Sequence, residues 1–506
     1  MAYDVAIVGF GPVGAVAAAL LGQMGVRVHV CERMHDVYEI PRAIAIDHEI
    51  MRVFQQLGLA ERIAPHCEPF TPSEYYGVDS QLIRRMTMLA PPYPQGYTPS
   101  LVFTQPAVER VLRERVAQLP NVSVALGTEL RDLEVDDAGV SLRVWSEGAA
   151  MQQLRARWLI ACDGGASTVR SALGGQVEDL DFDEPWLVVD VRVNAAGLAK
   201  LPKVSVQYCE PDRPCSFIVG PGNHRRWEIS LKPGEDPRDA ATPARTWKLL
   251  SRWLTPDDGQ LWRQASYRFH ALVSERWRFG RVFLAGDAAH MQPPFLGQGL
   301  CQGVRDVANL AWKLAAVIRD DLGGAAMERV LDSYGEERKT HVRELTSRIK
   351  AVGAVICERD HDQARARDTR LLAECDGVVK DTPRQAVLPR LERGLLAPRD
   401  SSARGTLFPQ PRISAGQESM LMDACCGYGW RLVLGDPLRV PAGEQGLTVI
   451  ALDPRDWHET EGVVAAWMRR HECRAALVRP DHYVYGVAAS QSELQALLTQ
   501  WRAALT

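Results

Sequence analysis

The segment from Asp4 to Glu32 constrains this chain more than any other. Val5, Ile7 and Val8 form a short apolar strand. Gly9-Phe-Gly11-Pro12-Val-Gly14 follows, and the small, apolar run Ala15 to Met24 predicts a helix that stops near Gly25. Val26, Val28 and Val30 alternate with Arg27 and His29 in a second strand that ends at Glu32. Strand, glycine turn, helix, strand and acid in this order are the dinucleotide-binding fingerprint. Gly9 permits a tight turn, Gly11 lets backbone approach a pyrophosphate, and Gly14 lets the helix lie close to the strand. The helix N-terminus then presents free N–H groups to the phosphates. Glu32 suits a ribose 2′-hydroxyl and would repel a 2′-phosphate, while FAD and NAD both remain open from this segment alone.

Two later motifs narrow the choice. The buried strand Trp158-Leu-Ile-Ala-Cys162 runs into Asp163-Gly164-Gly-Ala-Ser167-Thr-Val-Arg170. The strand Arg281-Val-Phe-Leu-Ala285 runs into Gly286-Asp287-Ala-Ala-His290, then Pro293-Pro294-Phe-Leu-Gly297-Gln298-Gly299 and a helix with apolar residues at three-to-four spacing. An acid at a strand end suits a ribityl or ribose hydroxyl, and the glycine-rich segment opens a second helix N-terminus. Three such motifs in one chain call for a dinucleotide cofactor.

Composition excludes other classes. The 506 residues suggest about three domains. Lys plus Arg is 59 and Asp plus Glu is 63, a net charge of -4, which leaves no electrostatic footprint for nucleic acid or an anionic membrane. No apolar stretch is long enough to span a bilayer, and the first residues enter a strand without an apolar leader, so a cytoplasmic protein is expected. The eleven cysteines form no Cys-x-x-Cys and no zinc-spaced cluster, so reduced thiols and no metal site are expected.

The three motifs resemble the signatures of the single-component FAD-dependent aromatic hydroxylases, whose type structure is the para-hydroxybenzoate hydroxylase fold. The finer resemblance is to the 3-(3-hydroxyphenyl)propionate hydroxylase branch. It rests on Gly22-Gln-Met-Gly25, Pro41-Arg42-Ala43-Ile44, Gln105-Pro106, Trp158 to Ser167, Leu284 to His290, Arg305-Asp306, Asn309 to Leu314 and Arg479-Pro480-Asp481, which together span almost the whole chain.

The resemblance implies an α/β chain with a discontinuous Rossmann-like FAD-binding domain (1–70, 100–180 and 281–357). A mostly antiparallel β-sheet substrate domain (71–99 and 181–280) is inserted in it. A linker or helical segment (358–404) and a thioredoxin-like C-terminal domain without Cys-x-x-Cys (405–506) follow. Strands are expected at Trp186–Val193, Val204–Tyr208 and Trp227–Lys232, and long helices at 301–318 and 325–357. A packing or dimerisation role suits the last domain and leaves a homodimer open.

For the cofactor, the resemblance implies Gly9, Gly11, Pro12, Gly14 and Glu32 around the ADP half, with a solvated Arg33 beside them. Arg42 would reach the phosphates and Gln105 would lie beside FAD. Asp163 and Gly164 would touch both FAD and NAD(P)H, and Gly286 and Asp287 would hold the ribityl chain. Pro294, Gly297, Gln298, Gly299 and Leu300 would lie against the isoalloxazine. The implied reaction uses NADH or NADPH as a transient reductant, then O2, through a C4a-hydroperoxide of the flavin that attacks a phenol-type ring. NADH is expected, from the branch resemblance.

A group near the phenol should take or relay its proton. His48 and Asp47 follow the Arg42 stretch, and Tyr208 lies in a predicted strand of the substrate sheet; these three are the candidates. Arg192, Arg213 and Arg225 are candidate partners for a substrate carboxylate, and His290 reads as structural. The expected substrate is a phenolic acid, best matched by 3-(3-hydroxyphenyl)propanoate giving 2,3-dihydroxyphenylpropanoate. Alternatives are a hydroxylase of polyketide, antibiotic or other phenols on the same fold, and a non-catalytic flavin-binding relative.

Overall fold

The computed structural model describes residues 3–319, 322–415, 418–435, 438–440, 446–452 and 458–505. An eight-stranded sheet forms the base. Its parallel strands lie in the order Val282–Leu284, Gln152–Ala161, Tyr3–Val8, Val28–Glu32 and Val122–Leu126, and Thr128–Val135, Val140–Ser146 and Arg278–Phe279 join it antiparallel. Val5, Ala6 and Ile7 are fully buried, so the central strand carries apolar side chains on both sides. The helix Pro12–Gln23 packs against the helix Gly299–Arg319 so closely that a Cβ on Gly303 would meet Val13 at 2.5 Å. The helix Gly324–Cys357 follows.

A second sheet stands over this base. Its strands run His290–Met291, Gly259–Ser274, Val177–Val193, His224–Ser230, Cys215–Val219, Ser205–Tyr208, Ser73–Tyr76, Leu82–Thr87 and Asp381–Pro383. Most neighbours are antiparallel; Ser73–Tyr76 with Ser205–Tyr208, and Asp381–Pro383 with Leu82–Thr87, are parallel. The long strand Gly259–Ser274 and the strand Cys215–Val219 were not foreseen. The stretch 358–404 is not a free linker: it forms the helix His361–Ala373 and then contributes the edge strand Asp381–Pro383.

The last domain has strands in the order Leu447–Ala451, Trp430–Leu434, Ala475–Val478 and Val484–Ala488. The first two are parallel and the others antiparallel, with the helix Val463–Arg470 after Leu447–Ala451 in the chain and the helix Gln491–Leu505 after Val484–Ala488. This is the thioredoxin-like order. The domain is held to the base by buried ion pairs. Arg52 meets Asp423 at 2.5 Å, and Arg479 meets Glu337 at 2.6 Å. Among the described residues no helix is long and apolar enough to cross a membrane.

Candidate cofactor and substrate site

The glycines of the fingerprint divide into two kinds. Gly9 has φ +98°, and a Cβ there would lie 2.3 Å from the Cys162 carbonyl oxygen. A Cβ on Gly14 would lie 2.0 Å from the Gly9 carbonyl oxygen. These two positions exclude any side chain on steric grounds. Gly11 differs: nothing lies within 4 Å of its Cβ position, so its cradle is open to a ligand. Pro12 begins the helix, where no N–H is needed, and the remaining free N–H groups point at that opening. The buried Glu32 carboxylate accepts from the backbone N–H of Phe10 (2.6 Å) and of Met34 (2.8 Å), which fixes the turn. Arg33 is exposed.

The other two motifs sit at the carboxyl ends of the neighbouring strands. Asp163 caps the helix Thr168–Ala172, accepting from Ser167 Oγ (2.7 Å) and the Val169 N–H (3.0 Å). Arg170 donates to the carbonyls of Ala288 (2.6 Å) and Gly165 (2.7 Å), tying the Asp163-Gly164 turn to the Gly286-Asp287 turn. Gly286 has φ +61°, and its N–H donates to Asp306 (2.9 Å), which also holds His290 (2.8 Å) and Arg338 (2.9 Å). His290 is thus a structural residue. Asp287 is exposed at the strand end, yet the protein packed around its carboxyl raises its pKa, and the charges of His290 and then Arg42 act against that rise.

Gln105 does its work through backbone, with its Oε1 accepting from the N–H groups of Arg42 (2.9 Å) and Ala43 (2.7 Å). The exposed Arg42 guanidinium lies over the Tyr38 ring. In the loop before the helix Gly299–Arg319, Gly297 has φ +65° and abuts Ala45. Gln298 accepts from Arg305 (2.9 Å), so this glutamine's oxygen is engaged, while Pro294, Gly297, Gly299 and Leu300 are half-buried. An open Gly11 cradle, the cleft-facing carboxylate of Asp287 and two helix N-termini on one rim fit a dinucleotide with a ribityl chain.

Strand alternation gives the upper sheet two unlike faces. Tyr75, Gln207, Ser216, Glu228 and Val188 lie in one transverse row on the face towards the base. On that same face Phe295 meets Trp186 edge-on at 5.7 Å, and Arg226 donates to the Arg42 carbonyl (2.8 Å). Arg226 and His224 both hold Asp190; burial opposes its ionisation, but Arg226 and His224 outweigh it and bring the carboxyl to about 2. Glu228 is buried and has no such partner, and burial pushes its carboxyl up to about 7. Arg384 donates to Ser73 Oγ (3.2 Å) on the wall and to the Leu296 carbonyl (3.1 Å) in the loop.

The candidate catalytic residues fare differently. Asp47 caps the helix His48–Gln56, accepting from the N–H groups of Glu49 (3.1 Å) and Ile50 (3.3 Å), and pairs with Arg305. Burial would raise its carboxyl, but Arg305 outweighs that and holds it below the ordinary range. A carboxylate so occupied is a positioning group, not a free base. Tyr208 points away: it has the parity opposite to Gln207 and packs beside Trp253, whose Nε1 donates to its hydroxyl (3.1 Å), in the outer apolar layer. His48 is buried, and its Nδ1 has no partner; burial first, then Arg305 and Arg52, bring its pKa down to about 4.

The three arginines expected for a carboxylate are also committed elsewhere. Arg192 lies on Trp262 (4.1 Å), Arg213 pairs with Glu235 (2.8 Å), and Arg225 donates to the carbonyls of Gly220, Gly222 and His224. Sequence reasoning missed Glu228 and Arg384. The parity of His224–Ser230 carries a signal for Glu228; Arg384 sits in an irregular polar stretch without one.

The family described as FAD binding domain matches residues 2–349, and the family described as HcaD C-terminal domain matches residues 405–504. A relative from Rhodococcus jostii (strain RHA1), named probable NADH-specific resorcinol 4-hydroxylase, is 35% identical over 100% of this chain and 95% of its own. A 3-(3-hydroxy-phenyl)propionate/3-hydroxycinnamic acid hydroxylase from Escherichia coli (strain SMS-3-5 / SECEC) is 32% identical over 97% of this chain and 92% of its own. The crystal structure of aklavinone-11 hydroxylase with FAD and aklavinone superposes with a TM-score of 0.81 over 99% of this chain and 98% of that one, at 24% identity.

Proposed function

Because this chain belongs to the FAD-dependent aromatic hydroxylases, we propose that it uses NADH and O2 to hydroxylate a small phenolic acid, with 3-(3-hydroxyphenyl)propanoate as substrate and 2,3-dihydroxyphenylpropanoate as product. The observation that carries this reading is the apposition of the three nucleotide motifs, on one rim of the parallel sheet, to the row Tyr75–Gln207–Ser216–Glu228 of the wall. Bound FAD supplies the electron transfer from NADH and the delivery of one oxygen atom to the ring.

The chain's own residues do the rest. Gly11, the Pro12–Gln23 helix N-terminus and Glu32 receive the ADP half; Asp287 takes the ribityl hydroxyls. The helix N-terminus at Gly299 would favour negative charge on a flavin bound beside it. Phe295, Leu296 and Trp186 make a dry boundary that keeps water from the oxygen-transfer step. His48, neutral at working pH, accepts a hydrogen bond from the phenolic hydroxyl at its imidazole, and Arg305 and Asp47 hold the helix that carries it.

A second reading is a neutral dihydroxybenzene such as resorcinol, supported by the 35% relative and by a Glu228 that is half protonated near pH 7 and can serve a second hydroxyl. Hydroxylated product and NADH consumption, measured for 3-(3-hydroxyphenyl)propanoate, resorcinol and a polycyclic phenol, test these readings. The phenolic-acid reading predicts the highest kcat/KM for the propanoate and fails if only resorcinol or only polycyclic phenols are hydroxylated. A tenfold preference for NADPH would overturn the nicotinamide assignment. The reading puts the enzyme in the cytoplasm, with the NADH pool.

A further inference from the structure

Nine arginines are buried among the described residues, and eight of them meet a carboxylate. Arg52 and Arg431 share Asp423, Arg226 and Arg263 share Asp190, and Arg305, Arg338, Arg367 and Arg479 each have an acid within 4 Å. Arg384 is the exception. Its two hydrogen bonds go to neutral acceptors, Ser73 Oγ and the Leu296 carbonyl, and its guanidinium lies on the Phe70 ring at 4.2 Å. Burying a guanidinium without a counter-ion is unfavourable, and here burial does push its pKa down.

The position of this lone cation is informative. Arg384 directly follows the edge strand Asp381–Pro383, which docks it beside the wall. One of its partners, Ser73, belongs to the face that carries Tyr75; the other, Leu296, belongs to the loop that leads into the Gly299–Arg319 helix. The guanidinium therefore bridges the two surfaces between which the aromatic substrate is read to bind. A guanidinium has five donors in a planar fork that matches a carboxylate in bidentate fashion, and neutral acceptors occupy only part of that fork.

We propose that Arg384 receives the carboxylate of the substrate and so sets the selectivity for a phenolic acid over a neutral phenol of the same shape. This rests on the phenolic-acid reading above. The carboxylate supplies the counter-ion that the fold withholds, and the phenol ring is left to lie along the wall.

The test compares 3-(3-hydroxyphenyl)propanoate with its uncharged amide, scored by catechol product, in the FAD-loaded wild type, R384M and R384K. The wild type is expected to favour the acid. In R384M the acid-to-amide ratio of kcat/KM should fall at least tenfold, and R384K should restore part of it. A ratio in R384M within about twofold of wild type overturns the assignment, as does an equal loss for acid and amide, which would mean that Arg384 serves the cofactor or the fold. Should R384M fail to load FAD, the wild type decides through dissociation constants read from flavin absorbance: tighter acid supports the assignment and tighter amide overturns it. A wild type that hydroxylates neither compound overturns the phenolic-acid reading and this assignment together; failure confined to the variants' ratio overturns the assignment alone.

Discussion

Glu337 on the Gly324–Cys357 helix and Arg479 in the C-terminal domain meet at 2.6 Å with neither side chain exposed to solvent. Lys313 and Asn309 complete the Glu337 side, and Asp481 completes the Arg479 side. Two charges taken out of water tolerate each other only while every partner is present. The thioredoxin-like domain is therefore locked to the FAD-binding domain by polar groups that each need the other.

Arg479→Met should cost about 3–5 kcal/mol, because it leaves Glu337 buried with a diminished set of cations. The combined change Glu337→Gln with Arg479→Met should recover part of that loss. Urea unfolding checks both. Burial opposes ionisation of Glu337, but Arg479 and Lys313 outweigh it and hold its carboxyl at about 2. The stability this contributes is fully present above the ordinary glutamate value near about 4.3 and is lost as pH falls towards 2. Wild type should therefore lose stability faster than Glu337→Gln across that window.

The glycines separate cofactor from fold. Gly14→Ala must push its Cβ into the Gly9 carbonyl, so it should destabilise the protein with or without FAD. Gly11→Asp meets no protein atom within 4 Å of its Cβ, so the apoprotein should fold normally and fail to hold the pyrophosphate. Asp287→Ala should also give folded, colourless protein, since each lost charge-assisted hydrogen bond is worth about 1.5–3 kcal/mol. Full yellow colour at 450 nm in both Gly11→Asp and Asp287→Ala would reject this map of the cofactor site.

These contrasts explain what could be read from the sequence. Gly9 and Gly14 are dictated by local sterics, and the strand–turn–helix order around them is set by near neighbours, so the motif and its fold were legible. The upper sheet was legible in kind but not in facing. Period-two alternation separates Gln207 from Tyr208, yet which of them looks towards the base depends on helices such as Pro243–Leu250 that pack the other side. Arg384 and the Glu337–Arg479 pair depend on contacts across 311 and 142 residues of chain respectively, and no local pattern encodes those.

Glu228 gives a pH signature of the opposite sign. Burial raises its carboxyl to about 7, so between about pH 4.3 and 7 the folded state keeps a proton that the unfolded state has lost. Stability should fall as pH rises through that window. Glu228→Gln removes the penalty, so it should be more stable than wild type above pH 7, by on the order of 3 kcal/mol, and equal to it below pH 4. Melting temperatures of both proteins across pH 4–8 measure the difference, and parallel curves would show that Glu228 is not held protonated.

The last expectation concerns coupling of oxygen transfer to NADH use. A group that accepts a hydrogen bond from the phenolic hydroxyl is needed only in the oxygen-transfer half of the reaction, so its loss should spare flavin reduction. Its burial keeps His48 unprotonated down to about pH 4, so at neutral pH the imidazole is always an acceptor, and coupling should be flat from pH 6 to 8. His48→Ala should still consume NADH when substrate is present but release most of the oxygen as H2O2. Loss of the acceptor that orients the phenolic hydroxyl should slow oxygen transfer enough for uncoupled decay to win. Tyr208→Phe is the matched control: its hydroxyl meets Trp253 on the far face of the sheet, so coupling should stay at the wild-type value. Product formed per NADH consumed, with peroxide assayed in parallel, decides. Unchanged coupling in His48→Ala would remove His48 from the reaction, and lost coupling in Tyr208→Phe would show that the outer layer of the sheet reaches the chemistry.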